Sequence, residues 1–113
     1  MARDLPIYAD FEAEVDIKRK AATTGNEEAA AGLSGVTFRI AGTPGGAALG
    51  SLSVAASERS AKGGRYHATF DTGDLVSALA ASHLNVEVYL VVSKSGDFDR
   101  VAGVYIPRDK VLL

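Results

Sequence analysis

The sequence predicts an all-β domain, an antiparallel β-sandwich, and three observations predict it. Apolar and polar residues alternate over several short segments, most strictly from Phe11 to Lys18, and a period of two marks a strand with one wet face. Clusters of Gly, Ser, Asp, Asn and Pro interrupt these segments roughly every eight to twelve residues, the spacing of strand-turn-strand folds. The stretch from Asn85 to Ile106, NVEVYLVVSKSGDFDRVAGVYI, is dense in Val, Leu and Tyr on both sides of a turn, which is the composition of a hairpin at the centre of a sheet.

The chain of 113 residues is enough for one core and too short for two. Cysteine is absent, which excludes a disulfide framework, a thiolate zinc site and a cysteine nucleophile. Twelve basic residues stand against 14 acidic ones for a formal net charge of −2. The only basic cluster, Lys18-Arg19-Lys20, is followed closely by Glu27-Glu28. No basic patch is dense enough to neutralise a run of phosphates, so nucleic acid is not expected as a direct partner. No apolar run approaches the roughly 20 residues that span a bilayer, so no membrane partner is expected either. Met1–Asp10 lacks the apolar core of a secretory signal, and the chain reads as soluble and unprocessed.

Taken in order, Met1–Asp10 (MARDLPIYAD) shows no period and reads as an arm, frayed in solution, whose apolar residues Leu5, Pro6, Ile7 and Tyr8 would either dock on a neighbouring subunit or pack on the chain's own domain. On that reading, removing residues 1–10 leaves a folded domain. In Phe11–Lys18, Phe11, Ala13, Val15 and Ile17 face inward, and Glu12, Glu14, Asp16 and Lys18 face outward. Successive same-side residues are about 7 Å apart, too far for three carboxylates to share a small ion, so this acidic row is a solvated face. Ala21–Gly35 is a long connection of small and polar residues that either touches a partner or stays mobile until one is present, and Glu27–Ala31 could form a helical turn. Glu27, Glu28 and Leu33 are its candidate contacts.

Val36–Ile40 alternates again, with Val36, Phe38 and Ile40 inside. The Gly42–Gly46 segment, GTPGG, lacks the Lys-Ser/Thr tail of a phosphate loop and is a turn. Leu49–Ala56 is a strand with Leu52 and Val54 on one face, and Ser57–Gly64 is a polar turn. Arg65–Asp71 points Tyr66, Ala68 and Phe70 inward. The period then changes: Leu75, Val76 and Leu79 form one stripe of a short helix near 72–81, capped by Asp71 or Thr72 with Asp74 in its first turn. The closing hairpin runs from Val86 to Val92 and from Val101 to Ile106, and Pro107 ends it for want of an N–H. Residues 108–113 are left as a tail. About six or seven alternating strands need two facing sheets to cover their apolar rows, which gives a sandwich of immunoglobulin-like type; a small closed barrel is the alternative.

Chemistry-bearing motifs are few. Asp71-Thr72-Gly73 is the triplet of aspartic proteases, but only the last part of the chain follows it, and the helix cap accounts for it locally; a protease is the remote alternative. His67 and His83 have no partner at a telling spacing. Asp97 and Asp99 lie in a turn of ordinary turn composition, which is not enough oxygen for calcium. No catalytic residue, metal site or cofactor is expected.

One ordering of motifs covers nearly the whole chain: an opening strand DFEAEVDIK, a loop closing on Leu33-Ser34-Gly35, the strand VTFRI, Gly63-Gly64-Arg65-Tyr66 leading into FDTGDL, and a final hairpin of VEVYLVV and VAGVYI. It resembles the immunoglobulin-like modules of tailed-phage structural proteins. The resemblance implies a non-enzymatic virion component, a capsid decoration or cement protein or a part of the head-to-tail joint. It would act in many copies against the major capsid protein or other virion proteins, as a homo-oligomer or multi-copy assembly formed in the host cytoplasm. A free-standing carbohydrate- or protein-binding module of an adhesin is the second class. Such modules usually arrive in tandem behind a leader, and sugar platforms show exposed aromatic rings.

Overall fold

The computed structural model of the protein describes residues 2–21 and 23–109. The chain is predominantly β, with antiparallel sheets and one short helix. Ten strands follow one another among the described residues: β1 (Arg3–Pro6), β2 (Phe11–Asp16), β3 (Lys18–Lys20), β4 (Glu27–Ala29), β5 (Val36–Ala41), β6 (Ala48–Ala55), β7 (Ser57–Glu58), β8 (Arg65–Phe70), β9 (Val88–Lys94) and β10 (Phe98–Arg108). The helix, α1 (Thr72–Leu79), lies between β8 and β9.

β9 is the middle of a five-stranded sheet ordered β1-β10-β9-β5-β6. It pairs antiparallel with β10 on one side and β5 on the other. Val88, Leu90 and Val92 face the core, and the outward Val91 is also buried. A near-continuous apolar run is what a central strand covered on both faces requires. A second sheet, β2-β8-β7, is antiparallel, with Phe11 opposite Phe70 and Val15 opposite Tyr66. Phe38, Ile40, Leu52, Val88 and Leu90 of the first sheet, Ala13, Tyr66 and Phe70 of the second, and Leu75 and Leu79 of the helix belong to one core cluster. Phe11 stacks on Phe70 at 6.0 Å and meets Tyr105 edge-on at 5.1 Å, joining the two sheets. No barrel is closed.

One run of chain passes from one sheet to the other. β6 leaves β5 at Ala55, and after Ala56 the same run of chain continues as β7 against β8. Between Arg39 and Ala41 of β5 the register with β6 slips, from Ser53 to Ala48, so residues 49–52 of β6 bulge from the ladder. Gly50 makes the bulge possible: its φ is +55°, and a Cβ there would lie 3.0 Å from Ala78 Cβ on α1, a close approach that only glycine permits.

The helix begins where expected. Asp71 is its N-cap, its carboxylate accepting from the Gly73 N–H at 3.0 Å, and Leu75 and Leu79 are buried. Pro107 does not end the last strand, which runs on to Arg108. β9 stops at Val88 opposite Tyr105, so no β9 residue stands opposite Pro107, and its carbonyl still accepts from the Asn85 N–H at 2.9 Å.

Ten strands stand among the described residues where six or seven were expected; Ser57–Glu58, read as part of a polar turn, is a short strand paired with β8, and two further segments differ from the sequence reading. Arg3–Pro6 is not a loose arm: it pairs parallel with Tyr105–Arg108 as an edge strand of the larger sheet, and Leu5 and Ile7 are 1% and 0% exposed in the core. The two residues, at i and i+2, point to the same side. Arg108 likewise belongs to the sheet rather than to a tail, while residues 110–113 lie outside the described residues. The long connection after β2 is also structured. Glu27–Ala29 is a strand, not a helical turn, and pairs antiparallel with Lys18–Lys20. So short a stretch cannot sustain a helix by propensity alone, whereas here each acid of the strand stands opposite a base.

Candidate interaction site

The β3–β4 ribbon is the part of the molecule least tied to the core. All six residues of its two strands are exposed. Lys20 stands opposite Glu27 and Arg19 opposite Glu28, with Arg19 Nε 3.6 Å from Glu28 Oε1. An isolated two-stranded hairpin is marginal in water, and exposed ion pairs add little, so the root has to hold the ribbon in place.

The root is specific. The Tyr66 hydroxyl, from a buried residue of β8, donates to the Ala30 carbonyl at 2.6 Å and accepts from the Leu33 N–H at 3.0 Å. The Glu58 carboxylate accepts from the Gly64 N–H at 2.8 Å and the Gly32 N–H at 3.0 Å. Those two backbone donors, Gly64 first, hold the Glu58 carboxyl below its usual range against the opposing effect of burial. The Ala30 N–H donates to the Ile17 carbonyl and the Ile17 N–H to the Gly64 carbonyl. Gly64 has φ +84°, and a Cβ there would sit 2.7 Å from Ala29 Cβ. The return of the ribbon therefore passes directly over a glycine in the β7–β8 turn.

The outer face of the smaller sheet carries the acidic row read from the sequence, and each member has a basic partner. Arg59 bonds Glu12 at 2.6 Å and Glu14 at 2.8 Å. Arg65 bonds Asp16 at 2.7 Å, and Lys62 lies 3.4 Å from Asp16. The Arg65 guanidinium, aided by the charge of Lys62 and opposed by burial, lowers the Asp16 pKa from 3.8 to about 2. This face is a charge ladder closed on itself.

Along the other side the two sheets are open. β2 pairs only with β8, and β1 covers β10 only from Tyr105 onward. The outer edges of Phe11–Asp16 and Phe98–Val104 thus have no strand partner among the described residues. Between them runs a groove of about 620 Å³ with Val15, Ile17, Val92 and Phe98 among its walls, and with Lys18 and Arg100 at the rim. Arg100 stands opposite Val92, whose side chain faces the core, so Arg100 lies on the inward face of its strand. Among the described residues neither Arg100 nor Lys18 makes an ion pair.

Of the residues singled out in the sequence as partner contacts, Leu5 and Ile7 are core residues, which removes them as contacts of the folded chain. Pro6 is half-buried in β1. Leu33 is partly buried against the core and tied through its N–H to Tyr66. Tyr8, 55% exposed, and Glu27 and Glu28 on the ribbon remain accessible. Tyr8 precedes β2 and the ribbon follows it, so the structure keeps them apart rather than bringing them together. Arg100, Lys18, Tyr66 and Glu58 were not singled out. An arginine at a position that alternation assigns to the apolar face was the one available sign of the groove.

The other motifs have local uses. Asp71 caps the helix. Asp99 accepts from the two terminal guanidinium nitrogens of Arg39, at 2.9 and 3.2 Å, and Arg39 Nε donates to the Gly46 carbonyl of the GTPGG turn. His83 meets the Ser82 hydroxyl at 3.1 Å, while His67 stands in β8 opposite Glu14. No group of three His, Cys, Asp or Glu among the described residues is placed to hold a metal ion. No helix among them is long and apolar enough to cross a membrane. Comparison of the chain with protein-family models, with curated proteins and with solved structures gave no match.

Proposed function

We propose that this chain is a structural component of a tailed-phage virion, a decoration or cement protein or part of the head-to-tail joint, that works by packing many copies against one another and against neighbouring virion proteins. The observation that carries the reading is the ribbon of residues 18–29. Its six strand side chains are exposed, yet its root is fixed by Tyr66 and Glu58. A projecting strand pair with open edges on a firm base suits strand-to-strand contact with a neighbour. The longest dimension of 49 Å, against 28 and 24 Å across, fits a body that reaches outward. We read the two sheets, with their shared core and the β6–β7 run that passes between them, as immunoglobulin-like. The acidic row of β2 is engaged by Arg59, Lys62 and Arg65 on an outer face, and the reading assigns the chain adhesion rather than catalysis.

Weak contacts repeated over a symmetric shell give high avidity, since each bound copy raises the effective concentration of the next. The test is mass spectrometry of purified phage particles alongside a variant in which residues 18–29 are replaced by a short turn. The expected result is many copies of the intact chain per particle and a folded variant that fails to join. Particles that lack the intact chain overturn the reading.

A further inference from the structure

We propose that the groove between Val15–Lys18 and Asp97–Ala102 of one copy receives the acidic ribbon strand Glu27–Ala29 of a second copy, with Glu28 facing Arg100. This deepens the multi-copy reading above and rests on it for its biological setting, though not for its physics.

Three observations converge on the groove. Its walls come from two strand edges with unpaired main chain, and such an edge is a template for one more strand. Its lining mixes apolar side chains with charge. Of the acids there, Asp16 is already engaged by Arg65 and Lys62, which leaves Lys18 and Arg100 against Asp97 and an excess of positive charge. The ribbon supplies the complement. β4 pairs only with β3, so its far edge is open. Glu27 has no ion-pair partner among the described residues, and Glu28 has only the long, exposed contact to Arg19.

Side-chain identities also select a direction. Residues directly opposite on paired strands share a face. With Glu28 opposite Arg100, an antiparallel approach sets Ala29 against Asp99 and Glu27 against Val101. A parallel approach would set Glu27 against Asp99, acid on acid, which is unfavourable. The register shift between Val101 and Gly103 bends β10 just past this point and limits the added strand to a short one.

Groove and ribbon are different patches of the same chain, so the contact is heterologous and builds a row or ring rather than a closed pair. A three-residue strand offers few hydrogen bonds, and each single contact is weak.

The experiment is sedimentation of the purified chain up to about 1 mM at low salt, with Arg100→Glu, Glu28→Lys and the double variant. Arg100→Glu leaves the ribbon intact, so a loss there cannot come from an unfolded ribbon. The expected result is self-association that added salt weakens, that each single variant reduces by about tenfold or more, and that the double variant restores to within about threefold. A strictly monomeric wild type, unchanged single variants, or a double variant no better than the singles overturns the proposal. The two readings fail separately. Restored self-association in a chain absent from phage particles would sink only the virion reading, while normal entry of Arg100→Glu into particles would sink only the ribbon-in-groove contact.

Discussion

Asp16 has Arg65 on one oxygen and both Arg65 and Lys62 on the other, and its pKa of about 2 makes it a reporter of the whole ladder. A carboxylate whose folded pKa lies below its unfolded value contributes stability above the unfolded value, and that contribution is lost as pH falls through the folded one. For Asp16 the loss falls between about pH 4 and pH 2. Glu58 acts in the same direction, its pKa lowered by the Gly64 and Gly32 N–H groups. Acid should therefore loosen the ladder and the ribbon root together, before the core. In a carboxyl-carbon NMR titration the Asp16 midpoint is expected near 2 and should rise toward the ordinary aspartate value in Arg65→Met. An unmoved midpoint would show that the Arg65 bond does not set it.

At the scale of elements, the return of the ribbon over Gly64 is the most exacting contact in the chain. Alanine at that position would hold a left-handed φ and place its Cβ against Ala29 and the backbone of Ala30. Gly64→Ala should lose about 1–3 kcal/mol through strain and overpacking and speed amide exchange at Leu33 and Ala30 first, with β9 and β5 protected as before. Urea unfolding with residue-resolved exchange measures both; uniform loss of protection across the sheet would contradict the assignment. The same elements show what can be read from the chain alone. β2 was legible because charge and apolar residues alternate strictly, and β9 and β10 because Val, Leu and Tyr are dense there. The helix was legible from one cap and three apolar positions. β3 and β4 were not, because neither has an apolar period: opposite-charge blocks flanking the Ala21–Asn26 turn, and side chains distant in sequence, define them. β1 was missed because Leu5 and Ile7 offer one repeat around a proline, and its partner strand lies at the far end of the chain. The groove was hidden for a related reason, since it exists only where two sheets stop short of each other.

For the whole molecule, the placement of Leu5 and Ile7 decides between docking on a neighbour and packing on the chain's own domain, in favour of the second. If residues 1–10 were a docking arm, their loss would spare the fold; as an edge strand with two core side chains, they are part of what holds it. Leu5→Ala should cost about 2–5 kcal/mol through the cavity left in the core, and deleting residues 1–7 should cost more. Circular dichroism melts would show the effect as a large drop in midpoint, and an unchanged midpoint would restore the arm. Arg3 beside Tyr105 and Pro6 beside Arg108 also join the opening strand to the closing one. Contacts so distant along a chain carry the largest loop-closure entropy and tend to form late on the route to the native state. A polypeptide emerging from a ribosome would hold Leu5 and Ile7 in waiting until β10 had cleared the exit tunnel. Weakening that seam should therefore hasten unfolding far more than it slows refolding.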